Sequence, residues 1–145
     1  MDRLTKIIAI ICLAVSFSGC AVFLADIHGL QKIEPAHVKV FDKDPEHCYE
    51  LTKAALAKWH AVVFQTRKYD YIVAMELDYV FMNCVNTTEL GIFFTGKAPG
   101  KTEVKVTSLN YQLSEFAADN LFNYIEKDGN IPPGEELAIR QPKRP

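Results

Sequence analysis

The chain has 145 residues, 49 % of them hydrophobic, and its 16 Lys and Arg against 18 Asp and Glu leave a formal net charge of −2. That length suits one domain with some chain left for a tether. A mildly acidic balance lacks the basic field of a nucleic-acid binder or a polybasic membrane binder, so nucleic acid is excluded as a partner.

Arg3 and Lys6 precede an apolar run, Ile7–Phe17. The run is shorter than the roughly 20 apolar residues that span a bilayer, so it reads as a cleaved secretory signal. Ser18-Gly19-Cys20 follows and resembles a bacterial lipobox. The resemblance implies diacylglycerol on the Cys20 thiol, cleavage before Cys20 and acylation of the new amine. Residues 1–19 are then the signal peptide, Cys20 is the lipidation site, and outer-membrane lipid is a partner through it. Ala21 follows the cysteine; by the same resemblance an Asp there would favour the inner membrane. The expected address is therefore the outer membrane, with the domain in the periplasm. An ordinary signal peptide or membrane anchor with an incidental cysteine is the plainer reading of the same residues.

Residues 20–43 read as the lipidated N-terminus and a linker, because Ala21–Val40 shows no sustained period and holds Gly29 and Pro35. Val38–Phe41 has the make-up of a short edge strand. The domain is expected over residues 44–128. Asp44 can cap a helix with Pro45 at its first position and Glu46 in its first turn. Cys48, Leu51, Ala55 and Leu56 give that helix an apolar face, predicting Pro45–Lys58 with Trp59 closing it against the core.

Beta structure is expected next. Ala61–Gln65 is short and β-branched, and Thr66–Asp70 is a polar turn. From Tyr71 the alternation puts Tyr71, Val73, Met75, Leu77, Tyr79 and Phe81 on one face, expected to be the core face. Met82–Thr88 is a break. Leu90, Ile92 and Phe94 then pair with Val104 and Val106 in a hairpin, with Pro99 and Gly100 placed for a type II turn. Ser108 or Asn110 can cap a second helix with the stripe Leu113, Phe116, Ala117, Leu121, Tyr124 and Ile125, and Gly129 follows its last turn. Residues 129–145 read as a flexible tail.

The fold class predicted is α+β: two layers, a four-stranded antiparallel sheet with two helices on one face, in the order α-β-β-β-β-α. Thr87–Phe94 followed by Val104–Asn110 resembles the small α+β modules of bacterial envelope lipoproteins, over about Pro45–Lys127. No activity follows from that resemblance.

Sites of chemistry are sparse. His47 and His60 flank a helix about 20 Å long and cannot share one metal while it is intact. No C-x-x-C or H-E-x-x-H spacing occurs, so neither metal nor cofactor is expected. Cys48 and Cys84 remain once Cys12 leaves with the signal and Cys20 takes lipid; they form one disulfide or stay as two buried thiols. Glu76 and Asp78 share a strand face, about 6.5–7 Å apart at Cα. They are either a carboxylate pair for hydrolysis or ordinary solvated charges. Phe93, beside Gly91, looks outward on its strand and marks a possible contact patch. Tyr111 and Phe122 are further aromatics that read more readily as core. The function expected is that of a lipid-anchored, non-enzymatic binding or scaffold module, touching another envelope protein or a cell-wall polymer. The alternative is a small envelope hydrolase using Glu76 and Asp78.

Overall fold

The computed structural model describes residues 26–75 and 89–131. A short helix α1 (Ile27–Gln31) leads to strand β1 (His37–Phe41) and helix α2 (Pro45–Lys58). Strands β2 (Val62–Arg67), β3 (Tyr71–Met75), β4 (Leu90–Ala98) and β5 (Lys101–Thr107) follow, and helix α3 (Tyr111–Glu126) closes the order. Among these residues the strands form one antiparallel sheet in the order β1-β5-β4-β3-β2. The α+β class therefore holds, with five strands where four were expected and three helices where two were.

The fifth strand is the short edge strand that Val38–Phe41 suggested within the stretch read as linker, and the third helix comes from the same stretch. In β1 the valines face away from the main core: Val38 stands opposite Lys105 and Val40 opposite Glu103, whereas Phe41 stands opposite buried Thr102. A strand whose obvious apolar residues are its exposed ones gives little alternation to detect.

Strand alternation explains the main core. Ile72, Ala74, Leu90, Ile92, Phe94, Val104 and Val106 line one sheet face, where α2 contributes Cys48, Ala55 and Leu56 and α3 contributes Leu113, Ala117, Leu121 and Ile125. Trp59 is buried with them. Burial of this kind is worth about 1.5–3 kcal/mol per large side chain before entropy is counted.

The opposite face is covered too, by α1. Leu30 is fully buried against Val73 and Phe93, with Ile27, Ile33 and Tyr71 around them. This corrects the expected core face of β3: Ile72 and Ala74 face the two long helices, while Tyr71 and Val73 face α1. Both faces of the strand are buried, so its sequence is apolar at every position and parity alone cannot say which side is which. Leu77, Tyr79 and Phe81 lie outside the described residues.

Local chemistry sets the boundaries of the long helices. Asp44 precedes α2 in an extended conformation and Pro45 takes the first turn, as the sequence predicts. The Asp44 carboxylate does not cap that helix. Its Oδ1 accepts from the backbone N–H of Gly100 at 3.1 Å, in a turn that needs the positive φ of +70°. At α3, Asn110 is the cap, its Oδ1 accepting from Leu113 N at 3.2 Å. Ser108 donates to Glu89 O at 2.7 Å and accepts from Asn110 N, bracing the entry to the helix.

Both long helices end alike. His60 N donates to Ala57 O and Ala61 N to Leu56 O behind α2; Asp128 N donates to Ile125 O and Gly129 N to Tyr124 O behind α3. These paired bonds make a Schellman motif. The left-handed position, usually glycine, is held by His60 (φ 55°) and by Asp128 (φ 51°). Beyond it Ile131 is half-buried against the main core, so the tail expected from Gly129 is docked at least that far.

Candidate functional site

Three residues separate the end of α2 from strand β2, which forms one margin of the sheet. It pairs with β3 from Val62 opposite Met75 to Arg67 opposite Tyr71, and the register shifts between Val63 and Gln65. That bulge places Phe64 out of the ladder and sharpens the local twist. Among the described residues no strand pairs with the other margin of β2.

All six residues of β2 are exposed. Its second half is polar and tied down: Tyr49 Oη lies 2.6 Å from Thr66 Oγ1, Thr66 donates to Tyr71 O, and Gln65 donates to Tyr71 Oη. Because the single Thr66 hydroxyl proton is used on Tyr71 O, Tyr49 is the donor to Thr66. The first half is apolar. Val62, Val63 and Phe64 are 48 %, 42 % and 51 % exposed, in a chain that buries most of its large described hydrophobics. Three such consecutive residues on a sheet margin form a surface able to take another strand, with backbone groups supplying affinity and side chains supplying selectivity. The sequence reading places a strand here; its exposure depends on β2 being outermost, which is a property of topology.

A polar cluster lies where α3 ends. Asp128 Oδ1 accepts from Lys43 Nζ at 2.7 Å and from His47 Nε2 at 2.8 Å. These two hydrogen bonds hold the Asp128 carboxyl below its usual range. The cluster ties the approach to α2 to the left-handed end of α3. It is a structural clasp, since each member's partner lies within the trio.

The residues singled out from the sequence do not converge. Cys48 is a free, fully buried thiol, pushed above the usual thiol range chiefly by burial. It stands as a free thiol where half of a disulfide was one of the two expectations, and Cys84 lies outside the described residues. Glu76, Asp78 and Cys20 also lie outside them. Phe93 does share the face opposite the main core, in register with Lys105 and Tyr71. It is only 5 % exposed because Leu30 covers it, so it is no contact patch: a correction that follows from α1. Tyr111 is exposed beside His37, with ring centroids 5.3 Å apart, whereas Phe122 packs half-buried on Phe41.

His47 and His60 sit at opposite ends of α2, and no three His, Cys, Asp or Glu among the described residues are grouped to hold a metal ion. Buried His37 Nε2, Trp59 Nε1 and Thr107 Oγ1 have no hydrogen-bond partner among the described residues. His37 and Thr107 face opposite sides of the sheet by their register, so these atoms do not form one site. No helix among the described residues is long and apolar enough to cross a membrane. No protein-family model, curated protein or solved structure matches the chain.

Proposed function

We propose that this protein is a lipid-anchored, non-enzymatic binding module of the bacterial outer membrane, and that it takes an extended segment of another envelope protein onto the margin of β2 that pairs with no described strand. The observation that carries the reading is the run Val62-Val63-Phe64, half-exposed on an outermost strand. Monomeric proteins commonly blunt such margins with charges, prolines or bulges. Here the bulge at Phe64 and the charge of Arg67 limit unselective pairing, while the apolar first half stays open. Lipidation at Cys20, from the resemblance of Ser18-Gly19-Cys20 to a lipobox, would supply location; β2 would supply recognition.

The test is site-specific photocrosslinking in intact cells, with the reactive group at position 64 or, as a control, at exposed Asp119 on α3. A polypeptide should crosslink at 64 and not at 119. Hydrogen exchange of β2 amides should slow when the matching peptide from that partner is added to the purified protein. Val63→Asp with Phe64→Asp should abolish the capture while leaving the melting temperature within a few degrees. Crosslinking to a cell-wall glycan alone, or capture undiminished in the double variant, would overturn the reading.

A further inference from the structure

The route by which the chain reaches the domain sets which way the domain faces. Helix α1 is pinned by Leu30 to the sheet face opposite α2 and α3. Asp26, the first described residue, is six positions after Cys20. Six residues reach at most about 20 Å when fully extended. A domain of this size has a radius of gyration near 13 Å. For the helical face to meet the bilayer, the tether would have to pass around a sheet margin and then cross both the sheet and the helix layer. A reach of about 20 Å does not allow that detour, because the two layers alone occupy most of it.

The composition of the two sides agrees. On the α1 side Val38 and Val40 are half-exposed on β1, and exposed Lys32 ends the helix. Four charges of that side are paired with one another, Lys105 with Glu34 at 3.1 Å and Lys97 with Glu103 at 3.0 Å, which lessens the cost of bringing them near lipid. The outer face of α3 instead carries exposed Glu115 and Asp119, charges that phosphate-bearing headgroups repel, while Glu126 on the same helix is paired with Lys39 at 2.8 Å.

Resting on the reading that Cys20 is lipidated, we infer that the tethered domain lies on the bilayer with the α1 side of its sheet, and Val38 and Val40 in particular, against the lipid headgroups. Two valines are too few to bind a membrane alone. The anchor supplies the affinity and the face supplies the orientation. Strand β2 is then held sideways, parallel to the membrane surface, and the acidic face of α3 points away.

The experiment uses the full lipidated chain in vesicles of phosphatidylethanolamine and phosphatidylglycerol, with Cys84→Ser and buried Cys48 left in place. A fluorophore is attached at Val38→Cys, at Val40→Cys or at Asp119→Cys, and quenched by headgroup-labelled nitroxide lipid. Quenching at 38 and 40 should exceed that at 119 several-fold, with melting temperatures near that of the parent. Co-flotation with vesicles but equal or reversed quenching overturns the orientation alone. Failure to co-float overturns the lipidation reading and the orientation with it.

Discussion

Lys43 meets Asp128 with its Nζ 2.7 Å from Oδ1, joining the residue just before the cap of α2 to the left-handed residue that ends α3. The Lys43 side chain is 17 % exposed while that of Asp128 is 53 % exposed, so the bond is half sheltered from screening. His47 shares the same oxygen.

Asp128→Asn keeps a residue that tolerates the left-handed conformation but removes the charge. The folded carboxyl is depressed below its ordinary value of 3.8, with the Lys43 hydrogen bond the first cause and that of His47 the second. Its stabilising effect is therefore present above the unfolded value and lost as pH falls through the folded one. The variant should melt a few degrees below the parent at neutral pH, and the two should converge in acid beneath the carboxylate range. Melting curves across pH check this; a gap that persists in acid would assign the effect to something other than charge.

At the end of α2, His60 is exposed and adopts φ 55°. A side chain there costs about 1–2 kcal/mol relative to glycine, part of which glycine returns through unfolded-state entropy. His60→Gly should stabilise the domain by about 0.5–1 kcal/mol, measured by denaturant unfolding. A loss of stability would mean that the imidazole contributes through a contact.

Leu30 tests whether α1 is part of the domain. It is fully buried against Val73 and Phe93, so Leu30→Ala should cost about 3 kcal/mol. Phe93→Asp should cost more, by placing a charge under the same helix. A Leu30→Ala variant as stable as the parent would show that α1 does not stay docked in solution.

The C-terminal boundary can be placed by truncation. Ending the chain after Asp128 removes Gly129, whose N–H closes on Tyr124 O at 2.8 Å, and Ile131, which packs on the core. That truncation should lower the melting temperature by several degrees, whereas ending after Ile131 should leave it nearly unchanged. Equal melting temperatures for the two would make Ile131 dispensable.

What the sequence made legible follows from how local each signal is. The bounds of α2 are readable because Asp44-Pro45 opens it and its apolar stripe stops at Trp59. The β4–β5 turn and the Asn110 cap are likewise local. Helix α1 has five residues, too few for a period, and buries only Leu30 fully. The facing of β3 was misread because Ile72 and Val73 are both buried, on opposite sides. Phe93 failed for a separate reason: its side of the sheet is readable from alternation, but its cover by α1 is not. The exposure of Val62, Val63 and Phe64 belongs to the same class, since it depends on which strand ends up outermost.

The strand order has a consequence in time. β1 pairs with β5, so among the described residues the first strand is matched to the last, from His37 opposite Val106 to Phe41 opposite Thr102. The β4–β5 hairpin closes over a tight turn, while β1 must wait for a long loop to close before its pairing contributes. A chain delivered N-terminus first therefore holds β1 unmatched until Thr107 has emerged, and folding nucleates in the later half. Val104→Ala should then slow folding, whereas shortening Phe41 should mainly speed unfolding; the reverse pattern in stopped-flow kinetics would place β1 in the nucleus.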